Sequence, residues 1–179
     1  MSAVVLLLVA VLSASEELSV QVDRRQQTMV VGFELTRPLP EEMVRVLPSG
    51  APVRVAYPLR LRGPRRPLWD RRFWRGEVVA AALFDPVTGR YRCEEVLDGV
   101  IVASRELESA DQALAWLSAP PPVQLALPEE ARSIGLVVRV RAVFSTSTVW
   151  LFFPSSEGTE WVEVESVPPA PAEPAAGDE

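Results

Sequence analysis

The sequence predicts a mainly β protein, an antiparallel meander that forms a β-sandwich or an open barrel, with two short helices. Three observations predict this fold class. Apolar and polar residues alternate along most of the chain, short turn sequences separate the alternating segments, and only two segments have helical spacing. With 179 residues the chain has room for one ordinary domain, so we expect these elements to share one core.

The alternating segments predict half-buried strands. The segment 53–61 alternates most regularly, but Pro58 lacks a backbone donor and therefore predicts an edge position or a bulge there. The segment 77–84 is apolar on both faces, which predicts a central strand or one that is covered on both sides. The full set of predicted strands outside the hairpins below is 18–23, 29–35, 53–61, 77–84, 122–128, 133–144, 148–154 and 160–167.

Two turn sequences predict β-hairpins. In DPVTG (85–89) the φ angle of Pro86 is already fixed, and Gly89 suits a positive φ. The dipeptide Asp98-Gly99, between EEVL and VIVA, is typical of a tight two-residue hairpin. These turns predict that the strands on either side of each are antiparallel neighbours.

Two segments, 40–50 and 109–119, predict short helices. The first begins at Pro40 and has two glutamates in its first turn, where the helix dipole favours negative charge. The second begins with a capping box formed by Ser109 and Gln112. We expect Trp116 to pack on a sheet beside an apolar stripe that consists of Ala110, Leu114 and Leu117.

Both ends of the chain are expected to lie outside the fold. Residues 1–15 are interpreted as a signal peptide, because Ala3–Leu12 is an unbroken run of ten apolar residues and small residues precede Glu16, where cleavage is predicted. No Arg or Lys precedes the run, which is atypical, and the alternative is a buried first strand. Residues 168–179, of Pro, Ala and acids, predict a disordered tail, which leaves a single β-rich domain at 17–167.

The composition excludes several kinds of catalytic site. The chain contains no His, Lys or Asn, so a Ser-His-Asp triad, a Cys-His pair and a histidine metal site are impossible. Cys93 is the single cysteine; it excludes an intramolecular disulfide and is expected to be buried. No nucleotide-binding or hydrolase motif is present. We therefore predict a protein that is not an enzyme and has no catalytic residues, no cofactor and no metal.

A cluster of carboxylates, Glu94, Glu95 and Asp98, lies beside the predicted Asp98-Gly99 turn. Such a cluster could bind a hard cation, but it lacks the Asp/Asn-rich loop of a strong calcium site. We interpret it as the solvated end of a hairpin.

The net charge of −6 conceals an asymmetry along the chain. Residues 24–92 contain 14 Arg and 6 acids, whereas residues 93–179 contain 4 Arg and 15 acids. Two interpretations remain open: the basic half pairs with the acidic half across a sheet, or it attracts an anionic partner. A nucleic-acid partner is not expected, because such proteins are usually basic overall.

The segment RRPLWDRRFWRG (65–76) contains five arginines and three aromatic residues. Arginine forks match carboxylate and phosphate groups, so the segment could form an interaction surface for an anionic ligand. The alternative is a connection between strands whose aromatic rings cap the core. The candidate surface residues are Arg65, Arg66, Trp69, Arg71, Arg72 and Trp74.

The order of these features resembles one bacterial family, the domain-of-unknown-function 4390 family. The resemblance covers about residues 18–155 and depends on the ordered segments LSVQVD, GAPVRVAYPLRLRGPR, PLWDRRFWRG, ALFDPVTGRYRC, SADQALAWLSA and IGLVVRVRAVF. It implies an exported, β-rich protein of Gram-negative bacteria. Because the family has no assigned activity, the resemblance implies no catalytic residues. The uncharged signal start and the Pro/Ala tail depart from the family.

Together these observations predict an exported accessory or binding protein of the cell envelope, periplasmic or secreted, without a transmembrane span after signal cleavage. Its expected partner is an envelope protein or an anionic envelope component. The alternative is a small-ligand or lipid carrier with a half-open β-barrel, which would need an unfilled interior cavity of some 300 Å³ or more. An enzyme that uses only carboxylates would need two of them facing across one cleft.

Overall fold

The computed structural model describes residues 10–14, 17–64, 71–146 and 157–168. In chain order the strands are β1 (Ala10–Ala14), β2 (Leu18–Arg24), β3 (Thr28–Leu35), β4 (Val53–Arg62), β5 (Arg72–Asp85), β6 (Arg90–Leu97), β7 (Val100–Leu107), β8 (Val123–Ala126), β9 (Leu136–Val140), β10 (Val143–Thr146) and β11 (Val162–Ser166). The α-helices are α1 (Glu41–Val46) and α2 (Ala110–Ser118), and short 3-10 turns occupy Leu47–Ser49 and Glu129–Ala131. The predicted strand at 148–154 lies outside the described residues.

The strands form two antiparallel sheets, which confirms the mainly β fold class. Sheet A has the order β1-β2-β3-β8, and sheet B has the order β11-β9-β4-β5-β6-β7, with β10 also paired to β4. Consecutive strands are neighbours from β1 to β3 and from β4 to β7, as a meander requires. The order then departs from a simple meander, because β8 joins sheet A and β9 returns to the side of β4.

Both predicted hairpins are present. Asp98 and Gly99 have φ values of 48° and 86° at the β6–β7 turn, the positive values that this tight turn needs. At the β5–β6 turn Gly89 has a φ of 69°, and Asp85 accepts a hydrogen bond from the backbone N–H of Val87 at 2.8 Å. The strand β5 lies between β4 and β6, so the prediction of a central strand from its apolar residues is also confirmed.

Pro58 does not mark an edge strand, because β4 is an internal strand of sheet B. On one side β4 pairs with β5; on the other, residues 59–62 pair with β9 and residues 53–56 pair with β10. The predicted single strand at 133–144 is thus broken into two at residues 141–142. The break lies beside residues 57–58, so the ladder has a gap next to the one residue of β4 that cannot donate a backbone hydrogen bond.

The two sheets share one core, and Tyr57 lies at its centre. Its ring stacks on Phe33 of β3, with the ring centroids 5.1 Å apart and the planes 11° from parallel. Its hydroxyl group donates a hydrogen bond of 2.8 Å to the backbone oxygen of Leu117 in α2. Tyr57 therefore links both sheets to the helix, and burial raises the pKa of its hydroxyl above the ordinary value.

Replacing Tyr57 with phenylalanine is expected to lower the free energy of unfolding by about 1 kcal/mol, since the ring contacts remain and one buried hydrogen bond is lost. Urea denaturation would measure the change. Tyr91→Phe is the matched control, because the described residues offer the Tyr91 hydroxyl no hydrogen bond. Equal losses in the two variants would contradict the assignment.

The helix α2 packs on sheet B with a face that differs slightly from the predicted stripe. Its buried residues are Ala113, Trp116 and Leu117, whereas Ala110 and Leu114 are only partly buried. The predicted cap is present, since the Gln112 backbone N–H donates to the Ser109 hydroxyl oxygen at 3.3 Å. Trp116 is buried on the sheet, as its position beside the stripe suggested.

A buried arginine, Arg24, fastens the end of β2 to sheet B. Its guanidinium group donates to four backbone oxygens, at distances of 2.6 to 3.2 Å. The acceptors belong to Ala131, Arg132, Ile134 and Ser166. Arg24 thus connects sheet A to the chain before β9 and to the end of β11.

Residues 10–14, inside the segment interpreted as a signal peptide, form β1 and pair with β2 in antiparallel register from Ala10 opposite Asp23 to Ala14 opposite Ser19. This pairing corresponds to the alternative of a first strand. Among the described residues, no helix is both long and apolar enough to cross a membrane.

Candidate functional site

Arginines from three neighbouring strands lie side by side on the outer face of sheet B. The register places Arg60 of β4 opposite Arg139 of β9 on one side and opposite Arg75 of β5 on the other. Neighbouring strands are about 4.8 Å apart, so these three residues form one row across the sheet. Arg62 lies two residues after Arg60 in β4, and Arg141 lies just beyond the end of β9, two residues after Arg139. Both are on the same face as the row. We call these five residues the arginine face.

The arginine face has more positive charge than its carboxylate neighbours offset. Arg139 forms an ion pair with Glu163 of β11, with 2.8 Å between Nε and Oε1. Within the described ranges, no ion pair joins Arg60, Arg75 or Arg141 to a carboxylate. In the same residues the Arg141 Nε atom is buried and has no hydrogen-bond partner.

Trp161, the residue before β11, brings three of these guanidinium groups together. The guanidinium carbons of Arg60, Arg141 and Arg139 lie 4.5, 5.1 and 5.2 Å from the centroid of its ring. All three distances fall within the range of cation–π attraction. The indole therefore offsets part of the repulsion between charges that come from two different strands.

The charges of the arginine face act on one another. The pKa of the Arg60 guanidinium is lowered, first by burial and then by the positive charges of Arg75, Arg62, Arg139 and Arg141. An arginine remains protonated at neutral pH even so, and the part of the shift that comes from the four neighbouring arginines reflects their positive potential at Arg60. Such a surface can bind an anion by supplying several charged hydrogen-bond donors at once.

The six candidate residues of segment 65–76 do not form one surface in the described structure. Arg65, Arg66 and Trp69 lie outside the described residues. Arg71 is exposed, forms an ion pair with Glu130 and lies over the ring of Phe73, 5.3 Å from its centroid. Arg72 is exposed at the start of β5.

Trp74, the last of the six, is half-buried and packs against the core. Its indole ring lies over Gly76, where a Cβ atom would collide with the ring and with the Asp98 carboxylate. Gly76 is therefore required for this packing. The position of Trp74 agrees with the interpretation of aromatic rings that cap the core.

The arginine face is only partly visible in the sequence. The outward positions of Arg60, Arg139 and Arg141 could be read from the alternation in their strands. That these arginines lie close together could not be predicted, because β9 lies beside β4 although more than 70 residues separate the two strands in the sequence. No pattern in the sequence indicated that Trp161 contacts these arginines.

The predicted solvated carboxylate cluster is wrong for Glu95. Glu95 is 2% exposed, because the alternation of β6 turns it inward together with Tyr91 and Cys93. In the described part of the chain its Oε1 atom has no hydrogen-bond partner, and burial raises its pKa to about 7. Asp98 lies apart from it, at the turn, where it accepts a hydrogen bond from the Glu77 backbone N–H at 2.9 Å.

Cys93 is a buried free thiol, as predicted, and burial raises its pKa to about 11. A protonated thiol in such a place is a weak nucleophile. Cys93 therefore acts as a small apolar side chain of the core.

Among the described residues, two of the grooves that open on the surface lie away from the centre of the sandwich. One, of about 460 Å³, lies at the ends of β9 and β11 and includes Glu163 and Glu165. The other, of about 410 Å³, lies at the β5–β6 turn and includes charged residues of both signs. The lining of each combines apolar residues with charged ones.

Comparison with known proteins gives one result. A family model described as a domain of unknown function, DUF4390, matches residues 16–153. No curated protein and no solved structure matches the chain. The resemblance seen in the ordered sequence segments is thereby confirmed.

Proposed function

We propose that this chain, which belongs to the DUF4390 family, a domain of unknown function, is an exported, non-catalytic accessory protein of the cell envelope that binds an anionic partner. The observation that carries this proposal is the arginine face. Three of its arginines, Arg60, Arg75 and Arg141, have no carboxylate partner among the residues that the structure describes.

The arginine face suits binding better than internal pairing of the two oppositely charged halves of the chain. Pairing between the halves does occur elsewhere, as in the ion pairs Arg71–Glu130 and Arg90–Glu106. On sheet B the charges instead accumulate on one face. A surface of one sign raises the local concentration of a partner of the opposite sign and increases its rate of association.

Two observations support export. Ala3–Leu12 has the length and composition of a signal-peptide core, which is too short to span a bilayer. The family match begins at residue 16, directly after the predicted cleavage site. In a mature chain that begins there, the matched domain would remain whole.

The carrier alternative receives less support from the described residues. The space between the sheets is occupied by large buried side chains, among them Tyr57, Met29 and Leu117. The stacked pair of Phe33 and Tyr57 fills the centre. A half-open barrel would need this region to be hollow.

The proposal is tested in two steps. The first is fractionation of cells that express the full chain, with mass spectrometry of the N-terminus; a periplasmic product that begins near Glu16 is expected. The second is capture of partners from an envelope extract by the wild type and by the triple variant Arg60→Gln/Arg75→Gln/Arg141→Gln. The variant is expected to lose at least about nine-tenths of a captured partner, since three charge-assisted contacts are removed.

The matched control is Arg25→Gln/Arg45→Gln/Arg105→Gln, which removes the same charge from exposed positions elsewhere. It is expected to capture the partner nearly as well as the wild type. Equal capture by both triple variants would contradict a role for the arginine face. A cytoplasmic product that retains Met1 would contradict export.

A further inference from the structure

We propose that the guanidinium groups of Arg60, Arg139 and Arg141, gathered around Trp161, bind a phosphate group. This inference rests on the proposed function and names the chemistry of its anionic partner. The contacts that carry it are the three guanidinium–indole distances and the register of β4 and β9.

The number of guanidinium N–H donors around Trp161 favours a ligand with several acceptor oxygens. A guanidinium that lies over an aromatic ring keeps its N–H donors at its edge, where a ligand can accept them. Three guanidinium groups lie around one indole ring: Arg60 from β4, Arg139 from β9 and Arg141 from just beyond β9. Together they have more N–H donors than a ligand with two oxygens can accept.

The net charge of the arginines around Trp161 favours a phosphate group over a carboxylate. One carboxylate, Glu163, already pairs with Arg139, so Arg60, Arg139 and Arg141 together keep an excess of two positive charges, and a single further carboxylate would balance only one of them. A phosphate group has up to two negative charges and at least two free acceptor oxygens in a tetrahedral arrangement. In its doubly charged form it balances this excess.

Trp161 has the role of a positioning residue. Without its ring the guanidinium groups of Arg60, Arg139 and Arg141 would repel one another and spread into solvent. Each cation–π contact is worth about 0.5–1 kcal/mol at a partly exposed site, and there are three of them. The cluster is therefore arranged before any anion arrives, which reduces the cost of binding.

The test uses the purified full chain and measures binding by calorimetry to inorganic phosphate, to pyrophosphate and, at the same ionic strength, to acetate. Flotation with vesicles follows, made either of phosphatidylcholine containing phosphatidylglycerol or of phosphatidylcholine made equally anionic with a fatty acid. Tighter binding of phosphate than of acetate supports a soluble phosphate ligand. Stronger binding to the vesicles that contain phosphatidylglycerol than to those that contain the fatty acid supports a lipid headgroup.

In either case the double variant Arg60→Gln/Arg141→Gln is expected to weaken binding by about tenfold or more, whereas Arg25→Gln/Arg105→Gln changes it less than about twofold. Trp161→Leu is expected to weaken binding about tenfold and Trp161→Phe, which retains an aromatic face, about twofold. Arg25→Gln/Arg105→Gln should unfold at nearly the wild-type urea concentration, because both side chains are exposed. The other three variants should remain folded but unfold at a somewhat lower urea concentration, because they lose or weaken cation–π contacts with Trp161.

Absence of any preference for phosphate, in solution and on vesicles, would overturn the inference, as would unchanged binding in the Arg60→Gln/Arg141→Gln variant. Failure of the phosphate assignment is distinct from failure of the proposed function. If the arginine face still captures an envelope partner and phosphate does not compete, the accessory role stands and the phosphate assignment is wrong.

Discussion

Replacing Arg24 with methionine is expected to lower the free energy of unfolding by about 3–5 kcal/mol, since four buried or partly buried backbone oxygens lose their charged donor. The methionine side chain keeps the apolar contacts of the arginine stem, so the loss reports the hydrogen bonds. Arg24 is the residue that holds β2 against the chain before β9 and the end of β11. Its loss should therefore weaken the contact between the two sheets. Urea denaturation followed by tryptophan fluorescence measures the change.

Two further variants make the Arg24 prediction specific. Arg24→Lys keeps the charge but not the planar fork, so we expect a loss of about half the size. Arg25→Met is the matched control, because Arg25 is exposed and its ion pair with Asp23, at 3.5 Å, should contribute less than about 0.5 kcal/mol. If the Arg24→Met variant has the same free energy of unfolding as the wild type, water replaces the guanidinium group without cost.

The second large effect concerns Glu95, whose replacement with glutamine is expected to raise the free energy of unfolding by roughly 3 kcal/mol at pH 8. Burial raises the pKa of Glu95 from 4.5 to about 7 in the folded protein. Below pH 4.5 the carboxyl is protonated in both states and costs nothing extra. Between pH 4.5 and about 7 only the unfolded chain releases the proton, so this group makes the wild type less stable as the pH rises.

Glutamine resembles the protonated carboxyl in shape and has no charge to release. The Glu95→Gln variant should therefore match the wild type near pH 4 and exceed it increasingly up to about pH 7, beyond which the difference stays constant. Glu94→Gln, which removes an outward carboxylate paired with Arg92, is the control and should show no such trend. Parallel stability curves for the wild type and Glu95→Gln from pH 4 to pH 8 would refute the assignment.

Much of the fold could be predicted because local rules agree with the tertiary structure. Strands and hairpins follow from alternation and from the Asp98-Gly99 and Gly89 turns. The break between β9 and β10 could not be predicted, since alternation runs without interruption through residues 136–144. Its cause lies on another strand, where Pro58 cannot continue the ladder.

The site was harder to predict than the fold because it depends on which strands are neighbours. Segment 65–76 drew attention through its local density of Arg and Trp, yet Trp74 packs against the core and Arg71 pairs with Glu130. The arginine face consists of residues that look unremarkable in sequence and meet only when β9 lies beside β4. For Glu95 the alternation did indicate an inward position, and its polar character led to the opposite interpretation.

The position of β1 imposes an order of events on the proposed export. β1 ends at Ala14, one residue before the predicted scissile bond between Ser15 and Glu16. A peptidase that binds the residues before that bond as an extended segment uses the same backbone groups that pair β1 with β2. If the proposed signal peptide is cleaved there, processing and pairing would compete for residues 10–14, and a chain that completed sheet A before it met the peptidase would protect the predicted leader from removal.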